Sequence, residues 1–292
     1  MQKVVTHGGG FHADDVFAVA TLQLYLGEEN IEILRTRDES IINSADWVID
    51  VGAVYDPTKK RFDHHQNGAP VRDNGIPYAA FGLIWKHYGN EVSGSAEVAE
   101  ILERKLVLPI DANDNGVSLY QLNDKNIEPA VLQDVIALFK PEWGSDRDMD
   151  SAFLEACELA RTIIKRAVSH AVAGLKEEQA AAVAYKNAPD KRVVVSPQYL
   201  SSRLFVQYPE TLVVVCPEDS KTSKNWTAIT VRIHPTGFES RIQFPQAWAG
   251  LRDAGLAAVS GVPDAVFCHK TPFVFVAKSK EGALEAVSKI LE

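Results

Sequence analysis

A short β-branched run, Lys3-Val4-Val5-Thr6, passes through His7 into three consecutive glycines. It emerges in a segment with apolar residues at Val16, Phe17, Ala20 and Leu24. A strand that turns through a glycine loop into a helix is the opening half of a βαβ unit, and it commits the next segments of the chain to a mostly parallel sheet flanked by helices. Gly27 suits the helix C-cap. Residues 31–34 and 46–51 supply second and third strands, the latter closed by Gly52. Helices are expected over 78–88, 96–106 and 131–139. One or two long ones are expected between Asp146 and about Lys186, a stretch rich in Ala, Leu, Glu and Arg with no Pro. The turn formers Asn187-Ala188-Pro189-Asp190 end that texture. Beyond them, residues 193–195, 212–216, 227–233, 265–268 and 273–277 read as strands and 281–291 as a closing helix. The expected architecture is α/β, with a parallel-sheet N-terminal domain over 1–187 and a smaller α+β C-terminal domain over 188–292.

Composition narrows the function classes. Charged residues are 24% and hydrophobic ones 46%, values that exclude wholesale disorder or a coiled coil. The longest apolar run is Ala180-Ala181-Ala182-Val183-Ala184-Tyr185, far short of the roughly 20 residues a membrane helix needs. His7 interrupts the N-terminus before a secretory core forms, so the chain reads as cytoplasmic with no membrane partner. Cys157, Cys216 and Cys268 are odd in number and far apart, which excludes a disulfide scaffold or a Cys-x-x-Cys zinc site. A net charge of −9 argues against non-specific nucleic-acid binding. The acid is uneven, however: 12 basic and 9 acidic residues lie from Lys191 onward, against 18 and 30 before it.

That acid gathers with histidines in four places. His7-Gly8-Gly9-Gly10-Phe11-His12-Ala13-Asp14-Asp15 lies between the first strand and its helix, at the sheet end where ligands bind. Its glycines let His7 and Asp14 face one centre, and such nitrogen and oxygen donors suit Mn²⁺, Fe²⁺ or Zn²⁺. Gly8-x-Gly10-x-x-Ala13 also fits the loose dinucleotide fingerprint. Leu34-Arg35-Thr36-Arg37 at the second strand end would then favour NADP, but the His and Asp residues would have no task. A lipase oxyanion loop is set aside, since no Gly-x-Ser-x-Gly exists. Asp14 or Asp15 also suits the helix N-cap. Asp50 ends the third strand, with a turn-forming Asp as the bland alternative. In Asp63-His64-His65, alternation puts Asp63 and His65 on one face and His64 on the other. Asp111 and Asp114 sit in Pro109-Ile110-Asp111-Ala112-Asn113-Asp114-Asn115-Gly116, which reads as a loop but lacks the twelfth-position Glu of a calcium site. So many donors exceed one ion's needs, and two divalent ions about 3.5–4 Å apart with a bridging acid would use them.

In this order the motifs resemble the DHH (Asp-His-His) phosphoesterase superfamily, and within it the melanocyte-proliferating-gene exonuclease family. The likeness rests on Thr6 through Asp15, Asp50-Val51-Gly52, Phe62-Asp63-His64-His65-Gln66, Gly82-Leu83-Ile84-Trp85-Lys86-His87-Tyr88-Gly89 and Ile110 through Gly116. In the second domain it rests on Trp248-Ala249-Gly250-Leu251-Arg252 and Val259-Ser260-Gly261-Val262. The resemblance implies a DHH-type domain joined to a C-terminal domain, with the active site in the cleft between them. It also implies Mn²⁺-dependent phosphodiester hydrolysis, as a 3′–5′ exonuclease on RNA or short oligonucleotides. A small-molecule phosphatase or pyrophosphatase on the same site is the alternative, and an NADP-binding protein a weaker one. The superfamily's first motif is His-x-x-x-Asp-x-Asp. Here His12-x-Asp14 stands one position along, which leaves His12, Asp14 and Asp15 as alternative ligands. Its Gly-Gly-Gly-His motif is absent, and Phe267-Cys268-His269-Lys270 occupies that region.

On this reading His7, Asp14 and Asp50 hold one ion and Asp50, Asp63 and Asp111 the other, with His12, Asp15 and Asp114 as further candidates. Mn²⁺ is the expected metal, with Mg²⁺, Co²⁺ and Zn²⁺ as alternatives. His64 or His65 positions or protonates a phosphoryl oxygen. Arg252, His269 and Lys270 bind substrate phosphate. A homo-oligomer stays open.

Overall fold

The computed structural model describes every residue except Lys125 and Glu292. The chain separates into two compact units, Met1–Val172 and Ala173–Glu292. Each carries its own five-stranded sheet.

The first unit contains β1 (Gln2–Thr6), β2 (Ile31–Arg35), β3 (Trp47–Ile49), β4 (Tyr55–Asp56) and β5 (Arg61–Phe62) in the order β2-β1-β3-β5-β4. β1 pairs parallel with β2 and β3, and β3 parallel with β5; only the short β4 runs antiparallel. Parallel pairing places the C-terminal ends of β1, β3 and β5 along one edge, so His7, Asp50 and Asp63 emerge side by side. Helix α1 (Ala13–Leu26) is buried from Ala13 through Gln23. A helix apolar nearly all round must be enclosed. After α2 (Glu39–Ser44), α3 (Ala80–Ser93) packs on α1 through Phe17 and Phe81, with ring centroids 5.3 Å apart.

The segment expected as a loop around Asp111 and Asp114 is instead helical. α4 (Ala96–Leu102) runs through a π turn at Glu103–Val107 into α5 (Leu108–Asp114). Pro109 has no N–H to donate four residues back, and the wider π spacing just before it accommodates that gap. Ile110 and Ala112 are buried, and this burial outweighs the turn preference of Asp111, Asn113 and Asp114, while Gly116 at φ 70° lies in the turn that ends the helix. α6 (Leu132–Ala137) and the 39-residue α7 (Met149–Asn187) come next.

The division between the units falls inside α7, ahead of the 187–190 turn where the sequence texture changes. The last turns of α7 belong to the second core: Ala181 is fully buried with Val194, Phe205 and Val214, and Ala180, Ala184 and Tyr185 pack against them. The second sheet orders as β6-β7-β8-β10-β9. Its strands are β6 (Val193–Val195), β7 (Val213–Pro217), β8 (Trp226–Thr230), β9 (Ala265–Cys268) and β10 (Val274–Ala277). Only β6 and β7 are parallel, so this unit is α+β. Helix α8 (Asp253–Ser260) has no apolar period to announce it, since only Leu256 and Ser260 are buried. α9 (Lys280–Leu291) closes the chain. Among the described residues no helix is long and apolar enough to cross a membrane.

Candidate metal centre

Two helix N-termini and three strand ends meet in the first unit. Asp15, at the third position of α1, accepts a hydrogen bond from the His12 N–H (2.9 Å), which closes the turn from the glycine loop into the helix. The unpaired N–H groups opening α3 are used by acids: Ala80 donates to Asp14 (3.3 Å) and Gly82 to Asp111 (3.0 Å). The positive end of a helix favours such anionic partners. Asp50 follows β3 in the left-handed region, at φ 55°, a conformation that few side chains adopt and that Asp tolerates.

Around Asp50 the donors converge. His7 Nε2 lies 3.2 Å from Asp15 Oδ2 and 3.4 Å from Asp50 Oδ2. His64 Nε2 lies 3.2 Å from Asp50 Oδ1, 3.4 Å from Asp114 Oδ2 and 3.7 Å from Asp14 Oδ2. Three groups have ligand atoms mutually within 4.8 Å: Asp50 with His64 and His65, His7 with Asp15 and Asp50, and His12 with Asp14 and Asp114. Asp50 belongs to two of them. These pairs are close but misaligned for hydrogen bonding. Asp14 Oδ1, Asp15 Oδ2, Asp50 Oδ1 and His64 Nε2 are buried with no hydrogen-bond partner. Orphaned buried polar atoms cost about 1–3 kcal/mol each, more when charged. A divalent cation satisfies such atoms, so the donor set fits one or two of them.

The electrostatics agree. Burial opposes a charge on His7, but Asp15 and Asp50 outweigh it and push its pKa up to about 10. Burial likewise works against ionisation of Asp50, yet His64 and His7 hold its carboxyl well below the usual range. Asp14 is forced the other way, first by burial and then by the charges of Asp50, Asp114, Asp15 and Asp111. Carboxylates crowded this closely need more positive charge than two imidazoles provide.

The structure divides the expected ligands differently from the sequence reading. Asp63 spends both oxygens locally: Oδ1 accepts from the His64 and His65 N–H groups (2.7 and 3.1 Å), and Oδ2 from Ala53 N–H (2.6 Å). Its Oδ1 also lies 2.7 Å from His65 Nδ1. Asp111 is fully buried against Gly82 N–H and Arg72 (2.7 Å), and burial pushes its pKa up to about 7 despite Arg72. Neither acid belongs to the three groups, so the expected set of Asp50, Asp63 and Asp111 is not assembled. His64 is the imidazole that enters the centre, while His65 is 61% exposed. Arg72, which carries no motif, was not legible: it joins Glu103 (2.6 Å) and Asp111 and lies over the Tyr78 ring at 3.9 Å.

Arg252, His269 and Lys270 belong to the second unit. The Arg252 guanidinium lies 4.5 Å from the Phe267 ring centroid, and His269 packs at 6.2 Å from the same ring. Arg252 makes no ion pair among the described residues.

Imidazoles and carboxylates gathered at the C-terminal edge of a parallel sheet define a candidate divalent-metal centre. The chain belongs to the MYG1_exonuc family, described as an uncharacterised protein family (UPF0160), whose model matches residues 3–291. It is 30% identical over 323 residues to a MYG1 protein of Schizosaccharomyces pombe, covering 99% of this chain and 97% of that one. A MYG1 protein of Saccharomyces cerevisiae is 32% identical over 320 residues, with 97% and 94% covered. The MYG1 exonuclease of Homo sapiens is 29% identical over 318 residues, with 97% and 84% covered.

Proposed function

We propose that this protein is a divalent-metal-dependent phosphodiester hydrolase of the DHH type that removes mononucleotides from RNA or short oligonucleotides in the 3′–5′ direction, with Mn²⁺ as its metal. The observation that carries this reading is the placement of Asp50, whose carboxylate stands between His7 and His64 with an oxygen that has no hydrogen-bond partner. The exonuclease names of relatives along nearly the whole chain support it. His7, Asp14, Asp15, Asp50, His64 and Asp114 would hold the metal. When bound, divalent cations supply Lewis acidity: they acidify water and offset the negative charge that builds on a phosphoryl group.

The chain's own residues then have distinct tasks. Asp63 fixes the His64-His65 backbone and accepts a hydrogen bond from His65 Nδ1–H, so Nε2 of that exposed imidazole is left to exchange a proton with substrate. Arg72 holds Asp111, and with it α5, so that Asp114 faces His64. Arg252, His269 and Lys270 are the proposed phosphate contacts of the second unit.

Asp50→Asn removes one charge and keeps the side-chain shape. It is expected to abolish both Mn²⁺ uptake, read by elemental analysis, and mononucleotide release from end-labelled RNA. Labelling each end in turn reads the polarity. Turnover of pyrophosphate or cyclic dinucleotides in place of RNA would favour the small-molecule alternative. Undiminished Mn²⁺-dependent cleavage by Asp50→Asn would overturn the reading.

A further inference from the structure

A cavity of about 420 Å³ lies beside the candidate centre, wholly within the first unit. It is bounded by Ala13 of α1 and Asn113 of α5, each adjacent in sequence to members of the His12, Asp14 and Asp114 group. Most of its wall is apolar, built by Leu106, Ile110, Val117 and Leu132. Two carboxamides interrupt that wall, Asn113 and Gln133. The Gln133 oxygen accepts the Ala13 N–H at 2.6 Å, which commits the oxygen and leaves its NH₂ as a donor. Tyr120 adds an aromatic ring, and the exposed Lys105 adds a cation that makes no ion pair among the described residues.

We propose that this cavity receives a nucleobase of the substrate, the one attached to the phosphoryl group under attack; the inference rests on the phosphodiesterase reading above and specifies its substrate. Holding a metal or a phosphate calls for no apolar recess, whereas an aromatic base does. The volume falls in the range of small-ligand sites, about 300–1,000 Å³. Apolar walls and a tyrosine take the faces of a base, and amides match the donors and acceptors of its edge. A lysine at the same cavity suits the adjoining backbone phosphate.

Calorimetric titration of the full chain loaded with Mn²⁺ tests this, with adenosine 5′-monophosphate against ribose 5-phosphate, which lacks only the base. The nucleotide is expected to bind about 10- to 100-fold tighter, the worth of stacking one base. Leu119→Trp, in the exposed stretch lining the cavity, is expected to bring the two affinities together while ribose 5-phosphate affinity and Mn²⁺ stoichiometry stay as in the wild type. Gln133→Glu, which keeps the acceptor for Ala13 and loses the donor, is expected to narrow the gap in part. Equal wild-type affinities, or a gap that survives Leu119→Trp, overturn the base pocket and leave the phosphodiesterase reading standing. Failure to take up Mn²⁺ at all overturns both.

Discussion

Gly82→Ala puts a single methyl group against a fully buried acid of the first unit, Asp111. A methyl at this position would stand 1.8 Å from Asp111 Oδ2 and 2.5 Å from Arg72 Nη2, far inside van der Waals contact. The carboxylate must retreat, and it then leaves both the Gly82 N–H and the guanidinium. Breaking a buried ion pair costs about 3–5 kcal/mol, and overpacking adds about 1–3 kcal/mol. The better helix propensity of alanine returns only about 1 kcal/mol. The net loss is therefore about 3 kcal/mol or more. At about 2–4 °C per kcal/mol for a unit of this size, that lowers the Tm by at least about 6 °C. Gly174→Ala is the matched control. It lies within α7, its added methyl meets nothing within 4 Å, and it should stabilise by about 0.4–1 kcal/mol. Differential scanning calorimetry on both variants reads the two signs. A Gly82→Ala protein that melts with the wild type would refute the argument that Asp111 is fixed against bare backbone.

The same geometry sets three further outcomes. Asp63→Asn should weaken Mn²⁺ binding by about 10- to 100-fold in a metal titration, because a residue that orients ligands is lost while every donor group is kept. Mn²⁺ at about 100 times its Kd should stabilise the protein by about 2.7 kcal/mol, seen as a rise in Tm that EDTA reverses. With the His7 pKa raised from 6.5 to about 10, its imidazolium contributes stability that is full below pH 6.5 and lost as pH climbs toward 10. Metal must displace that proton, so calorimetry in buffers of different ionisation enthalpy should register proton release near pH 7 and tighter binding at higher pH.

Most of the centre was legible because strand ends leave local marks. His7, Asp50 and His64 each directly follow, or nearly follow, a short apolar strand, and parallel pairing alone brings them together. Asp114 was legible as a candidate ligand, Asp111 only as a nearby acid, and neither as part of a helix. Pro109 and the run Asp111-Ala112-Asn113-Asp114-Asn115-Gly116 carry every local sign of a turn, and the burial of Ile110 and Ala112 keeps the chain helical as far as Asp114. The division of labour among the acids was out of reach. Asp63 and Asp14 look alike in sequence, and what separates them is which N–H groups the folded backbone aims at each. Arg72 had no signal at all, since its partners Glu103 and Asp111 lie 31 and 39 residues away.

The backbone at Asp50 sets a limit on how this protein can vary. A φ of 55° is readily tolerated by Gly, Asn and Asp, and of these only Asp carries a charge. Glu would keep the charge but strain the chain, while Asn or Gly would relieve the chain but neutralise the centre. Conformation and chemistry each admit a short list of residues, and the two lists share a single member. Substitutions at position 50 should therefore separate two kinds of failure: Asn and Gly variants that fold stably but bind no metal, and a Glu variant that keeps the charge but folds poorly.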